Sequence, residues 1–234
     1  MGARDLAIFL ALVPAIFAQP VQAGNKINVH SHVQLSGSSA SAADLVSEMA
    51  TQQISFLFLM GTPAAFPSEA DEGDDTEDLV AAFSAYPQIK YFYGGTELNP
   101  LLHAVGRTTD WTVESLYPNG VSDSSSAQAE IDETVALASD SATLETEFKA
   151  LAESAASSGL YKGFGEIAPL HYSQRSDHPQ IEFSASHAWL LWLSDLAATN
   201  NMVLDLHLEA TDESLVELRT LLAHNSATKI IWEH

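Results

Sequence analysis

The chain has 234 residues, of which 46% are hydrophobic and 17% charged, so it can bury a core and is not expected to be disordered as a whole. Asp and Glu number 31 against 9 Lys and Arg, and the formal charge of −22 disfavours nucleic acid and anionic membrane surfaces as partners. Cysteine is absent, which excludes disulfides, thiolate metal ligands and a cysteine nucleophile. Any metal must therefore be held by nitrogen and oxygen donors.

The first 23 residues are predicted to be an export signal. Arg4 gives a weakly positive start, residues 6–18 form an apolar run, and Val21-Gln22-Ala23 places small residues at a peptidase site. The run is shorter than the roughly 20 residues that a membrane span needs. We therefore expect one mature domain over residues 24–234, periplasmic or secreted and without a membrane anchor. A buried first helix is the alternative interpretation.

From residue 26 onward, short apolar runs alternate with helical patterns. Strands are predicted at 26–30, 54–60, 89–93, 159–167, 202–208 and 229–233, and helices at 44–50, 79–86, 98–106, 129–157 (in one or two pieces), 187–199 and 212–224. The stretches 68–78, 108–128 and 171–183 are predicted loops. This alternation predicts an α/β fold with a parallel sheet, either a (β/α) TIM-type barrel or an open doubly wound sheet. The first strand is not followed by GxGxxG, which disfavours a dinucleotide site.

Histidines and one glutamate lie at the ends of four predicted strands. His30 and His32 are two residues apart, so on an extended chain they point to the same side. Glu166 ends the fourth strand, His207 the fifth and His234 the sixth. Each residue alone could be an ordinary polar strand end. Because functional residues of parallel barrels lie at the carboxyl ends of strands, the ordered set favours the barrel and predicts a divalent metal site, Zn²⁺ first and Mn²⁺ or Fe²⁺ as alternatives.

Four segments carry a family resemblance: Asn28-Val29-His30-Ser31-His32, Gly163-Phe164-Gly165-Glu166-Ile167, the strand ending at His207, and Lys229-Ile230-Ile231-Trp232-Glu233-His234. Together they resemble the amidohydrolase superfamily, nearest to its lactonase-like hydrolases and related decarboxylases, from about residue 26 onward. The resemblance implies a metal-activated water that attacks a small ester, lactone or amide-like substrate. A non-oxidative decarboxylase and a non-catalytic metal- or ligand-binding barrel remnant are the alternatives.

The resemblance also implies a role for each matching residue. His30 and His32 correspond to the metal pair of the first strand, and His207 to the ligand of the fifth. Glu166 stands where some members have a carboxylate that bridges two metals. His234 corresponds to a histidine that binds a second metal or polarises the substrate. Glu166 and His234 are therefore the expected catalytic groups, and all five residues the expected metal ligands.

The loop after the fourth strand supplies candidate contacts to a small-molecule substrate. His171 and His178 lie there with Arg175, whose guanidinium could hold a carboxylate through two hydrogen bonds. A solvated loop is the alternative for all three residues. Asn99 and His103, which follow the third predicted strand, have the same two interpretations.

Two features depart from the family pattern. Asn28 stands where an aspartate is common, which alters the hydrogen bonds behind the metal. The resemblance further implies an eighth strand that ends in an aspartate, whereas six strands are predicted here. We therefore expect residues 24–234 alone to show low solubility and little turnover. A partner chain, including a second copy in a homo-oligomer, or a longer parent protein would change this expectation.

Overall fold

The computed structural model describes residues 26–33, 41–67, 75–106, 111–172 and 176–233. The predicted signal segment 1–23 and two of the predicted site residues, Arg175 and His234, lie outside the described residues. Within the described ranges, no helix is both long and apolar enough to cross a membrane.

Six parallel strands form one sheet that curls into a half-barrel, in the order β1-β2-β3-β4-β6-β7. The strands are β1 Lys26–Asn28, β2 Ile54–Leu59, β3 Ile89–Gly94, β4 Tyr161–His171, β5 Ile181–Glu182, β6 Val203–Leu208 and β7 Lys229–Glu233. The curl brings Glu233 of β7 within 3.9 Å of His30, which follows β1 at the opposite end of the strand order. The predicted α/β class with a parallel sheet is confirmed.

Helices occupy most of the connections between the parallel strands. They are α1 Ala42–Thr51, α2 Thr76–Phe83, α3 Asn99–Gly106, α4 Val113–Leu116, α5 Ser124–Ala138, α6 Ser141–Ser158, α7 Ala188–Thr199 and α8 Asp212–His224. The main core lies between α3, α6, α7 and the strands β4 and β6, and includes the fully buried side chains of Phe148, Phe164, Leu190 and Leu204. This core fixes the positions of the two strands that carry Glu166 and His207.

Two predicted loops contain helix starts, so these predictions are wrong in part. Within the predicted loop 68–78, Asp75 accepts a hydrogen bond from the backbone N–H of Asp78 and so caps α2. Within 108–128, the side chain of Asp123 accepts from backbone N–H groups two and three residues further on and caps α5. The serines of this stretch are the first turn of a helix, because capping satisfies the N–H groups that a helix start leaves free.

The strand β4 differs from its prediction at its end. It runs on to His171, so Glu166 lies inside the strand rather than at its end. The stretch predicted as irregular also contains β5, which pairs antiparallel with the end of β4. Between Phe164 and Ile167, β4 has two residues opposite the single residue Asp205 of β6. Such a bulge changes the direction of a side chain, and here it occurs at Glu166.

Two glycines of β4 allow β6 to approach closely. A Cβ atom at Gly163 would lie 2.6 Å from the carbonyl oxygen of Val203, and one at Gly165 would lie 2.6 Å from the Cβ of Asp205. Glycine inside a strand is typical of such close backbone approach. The Gly-x-Gly pattern before Glu166 thus makes room for the Asp205 side chain.

Candidate metal centre

His30 and His32 lie in the segment that follows β1, which ends at Asn28, two residues earlier than predicted. The side-chain oxygen of Asn28 accepts a hydrogen bond from the backbone N–H of His30 at 3.2 Å. The Nε2 atoms of the two histidines are 3.2 Å apart, and the rings meet edge to face at 4.9 Å between centroids. The structure therefore brings these two imidazole nitrogens together.

The Glu166 carboxylate lies against both histidines. Its Oε2 atom is 2.9 Å from Nε2 of His32 and 3.5 Å from Nε2 of His30, and its Oε1 atom contacts Nδ1 of His207. Burial raises the pKa of Glu166, but the hydrogen bonds from His207 and His32 and the nearby imidazoles outweigh it and lower that pKa to about 2. The buried side chain is therefore an anion at neutral pH.

The hydrogen bond between His32 and a backbone carbonyl shows which ring nitrogen of His32 carries a proton. Its Nδ1 atom lies 3.2 Å from the carbonyl oxygen of Met60, and a carbonyl only accepts, so Nδ1–H donates. In the protonated ring Nε2–H also donates, to the Glu166 carboxylate, and this is one of the bonds that lower the pKa of Glu166; in the neutral ring Nε2 instead carries a lone pair that faces this carboxylate and His30. Electron-pair donors at such distances repel one another unless a positive charge lies among them. The donor set therefore fits a cation.

The separations of the donor atoms fit a metal ion as well. Ligands about 2.0–2.1 Å from zinc in a tetrahedron lie roughly 3.3 Å from one another. The three distances among His30, His32 and Glu166 span 2.9–3.5 Å, and these residues form a group that could hold a metal ion. Two imidazoles and a carboxylate suit Zn²⁺, Mn²⁺ or Fe²⁺. A second group that could hold an ion combines His30 with Asp205 and Glu233.

Three further histidines lie near the centre but outside the group of His30, His32 and Glu166: they are His171, His178 and His207. His207, on β6, is not part of the ligand group that the described residues form with His30 and His32. The ring of His171, at the end of β4, lies 4.5 Å from that of His207 and 5.0 Å from that of His178. Burial and the charges of His207 and His178 lower the pKa of His171 to about 4, so this imidazole is neutral at pH 7.

One cavity of about 260 Å³ joins these side chains. Its lining includes His30, His32, Glu166, His171, His178 and His207, and Ala168 and Ile181 add apolar surface. A cavity of this size suits a small substrate, and convergent polar groups on an otherwise apolar wall are typical of ligand sites. His171 and His178 thus lie at the cavity, not in a solvated loop.

Sequence reasoning missed Asp205. Its side chain is fully buried on β6, and its Oδ1 atom lies 3.4 Å from Nδ1 of His30. Burial raises the pKa of Asp205, and the charges of Glu166 and Glu233 add to this against the effect of His30. Burial lowers the pKa of His30, but Asp205 and the other carboxylates raise it overall. The available signal was a charged residue two positions before His207, on the same side of an apolar strand.

Asn99 and His103 are buried, so the solvated-loop interpretation is wrong for both residues. The Asn99 amide donates to the carbonyl oxygens of Gly95 and Glu166 at 3.0 and 2.8 Å, and its oxygen accepts from the N–H of Ala168 at 3.1 Å. Nδ1 of His103 lies 3.0 Å from the carbonyl oxygen of Ala65. Asn99 thus attaches the backbone around Glu166 to the start of α3.

We expect Asn99→Ala to lower the free energy of unfolding by about 2–3 kcal/mol, because buried backbone groups at Gly95, Glu166 and Ala168 lose their partner. Urea unfolding measures this change. Asn200→Ala is the matched control, since within the described ranges the amide of this exposed residue makes one hydrogen bond, to the carbonyl of Leu196. Equal losses in the two variants would contradict the anchoring role of Asn99.

No known family model matches the chain, and no curated protein matches it. The chemistry of the centre is therefore inferred from its side chains and their geometry.

Proposed function

We propose that the protein is a metal-dependent hydrolase of the amidohydrolase type, in which the half-barrel is part of a (β/α)₈ barrel. The observation that carries the proposal is the convergence of His30, His32 and Glu166, at the spacing of metal ligands, on the wall of a 260 Å³ cavity. The proposed substrates are small esters, lactones or amide-like compounds. Zn²⁺ is the ion that we expect, with Mn²⁺ or Fe²⁺ as alternatives.

Each side chain has a part in this proposal. His30, His32 and Glu166 would hold the ion, which when bound lowers the pKa of a water from about 16 to near 7 and polarises a carbonyl. Glu166 keeps its negative charge: its Oε2 atom faces the ion beside Nε2 of His32, and its Oε1 atom orients His207. His171 is a neutral imidazole in the same cavity and can exchange a hydrogen bond with an uncharged substrate.

The first test measures bound metal and hydrolysis together on the full chain. After zinc loading we expect at least one equivalent of tightly bound metal. We also expect slow turnover of simple lactones or aryl esters above the rate of free zinc in buffer. A chelator should remove both, and added Zn²⁺ or Mn²⁺ should restore both, because the ion supplies the activated water.

The outcomes separate this proposal from its alternatives. Metal uptake without turnover of any lactone, ester or amide would favour a metal-binding protein over the hydrolase. A chain that takes up no zinc, manganese or iron would contradict the metal centre itself. Turnover that continues after complete removal of metal would also contradict the proposal, since the reaction would then need no ion.

A further inference from the structure

The two ring nitrogens of His30 face different carboxylates. Nε2 lies 3.2 Å from Nε2 of His32 and 3.5 Å from Oε2 of Glu166, on the side of the candidate ion. Nδ1 lies 3.4 Å from Oδ1 of Asp205 and 3.9 Å from Oε1 of Glu233, on the opposite side of the ring. An imidazole that binds a metal through one nitrogen carries its proton on the other, so a metal on Nε2 would leave the proton of His30 on Nδ1, the nitrogen that faces the Asp205 carboxylate.

The complete burial of the Asp205 carboxylate lowers the stability of the protein. Its relative exposure is 0%, and the 3.4 Å contact with Nδ1 of His30 is too long or too poorly aligned for an ordinary hydrogen bond, so among the described residues the carboxylate has no closer polar partner. Within the same ranges, its only ion-pair contact is with His30. A buried carboxylate with so little compensation destabilises a protein, so packing does not explain this residue. The β4 bulge and Gly165 leave the room that its side chain occupies.

We infer that Asp205 is a positioning residue of the metal centre. Its carboxylate accepts the Nδ1–H of His30, fixes the orientation of the ring and holds Nε2 towards His32 and Glu166. A carboxylate behind a ligating histidine also makes the imidazole a stronger donor to the metal. Among the described residues the charged groups near Nδ1 of His30 are Asp205 and Glu233, whereas the side-chain oxygen of Asn28 accepts the backbone N–H of His30. The inference rests on the proposed function, since it requires that His30 binds a metal.

The test compares Asp205→Asn and Asp205→Ala with Glu233→Gln in the full chain. Zinc Kd is measured by competition with a chromophoric chelator, and the thermal midpoint of the metal-free protein is measured beside it. Loss of a carboxylate behind a ligand typically weakens metal binding by about 10–100-fold, and we expect Asp205→Asn near the lower and Asp205→Ala near the upper end. If the ion lies between His30, His32 and Glu166, Glu233 is not a ligand, and Glu233→Gln should change Kd by less than about 3-fold, because its part-exposed oxygen is also farther from Nδ1 than that of Asp205.

Stability distinguishes positioning from a merely structural role. Removal of a buried charge that only the long contact with His30 compensates among the described residues should leave the midpoint of the metal-free protein unchanged or higher, while Kd rises. The visible spectrum of bound Co²⁺ should also change in the Asp205 variants, as the geometry at His30 relaxes. Weaker zinc binding with an unchanged or raised midpoint, and with Glu233→Gln near wild type, supports the inference.

Four results would overturn it. If wild type binds zinc and Asp205→Asn binds equally well, the inference fails while the metal centre stands. If Glu233→Gln loses as much affinity, Asp205 does not act from behind His30: the ion is held by the second group, with Asp205 and Glu233 as ligands, or by the general negative charge. If the metal-free Asp205 variants lose stability, the role is structural. If wild type binds no zinc, the proposed function fails and takes the inference with it.

Discussion

His32→Ala is expected to weaken zinc binding by on the order of 100-fold or more, an effect larger than that of removing a group behind a ligand. The Nε2 atom of His32 contacts both Glu166 and His30, so its loss removes one donor and leaves the other two without a shared partner. The measurement is zinc Kd by chelator competition, with circular dichroism to show that the fold is retained. Glu166→Gln should also weaken zinc binding, because it replaces the negatively charged ligand with a neutral amide.

His224→Ala is the matched control for these variants. His224 lies near the end of α8, where its Nε2 atom is 2.9 Å from Asp195. This pair is at the surface, and its loss should leave zinc Kd within about 2-fold of wild type. If His32→Ala retains wild-type affinity, the ligand group proposed for this centre is wrong, even if metal binds elsewhere on the acidic surface.

Two features of the centre can be predicted from local patterns in the sequence. The spacing of His30 and His32 on an extended segment predicts that the two rings share a side, because side chains alternate along such a chain. Apolar runs that alternate with helical patterns predict a parallel sheet, and a parallel sheet places Glu166 and His207 on neighbouring strands. Both statements need only the period of the chain and the direction of its strands.

What the sequence does not predict depends on contacts between distant segments. The role of Asp205 requires the bulge between Phe164 and Ile167 and the approach of β6 to β4 over Gly165. The role of Asn99 requires the backbone around Glu166 to lie against α3. Neither a bulge nor a hydrogen bond between segments about 70 residues apart leaves a periodic pattern in a single sequence.

The charge of the chain is consistent with a site for a cation. Three carboxylates, those of Glu166, Asp205 and Glu233, lie within 4 Å of the His30 ring nitrogens. Among the described residues, the ion-pair contacts of these three carboxylates are all with histidines. A divalent ion would therefore compensate a local excess of negative charge, and the overall charge of −22 would raise the local concentration of cations.

Phe148→Ala is expected to lower the free energy of unfolding by about 3–5 kcal/mol, because it empties a fully buried position of the main core. Phe148 lies on α6 and stacks on Trp189 of α7 at 5.3 Å between ring centroids, with Trp192 at 6.0 Å. Small domains are stable by only about 5–15 kcal/mol, so this loss should greatly lower the urea concentration at which half of the protein is unfolded.

Phe56→Ala is the control of the same residue type. Phe56 lies on β2 with 41% of its surface exposed, so its replacement should cost about 1 kcal/mol or less. Folded Phe148→Ala protein should keep its zinc Kd, since Phe148 lies on α6 in the main core and its ring contacts are with Trp189 and Trp192. Saturating zinc should raise the unfolding midpoint of both variants. Equal losses of stability in the two variants would show that the packing between α6 and α7 does not hold the half-barrel together. If zinc affinity instead fell with stability in Phe148→Ala, the position of the ligands would depend on this core, because the strands that carry Glu166 and His207 pack against it.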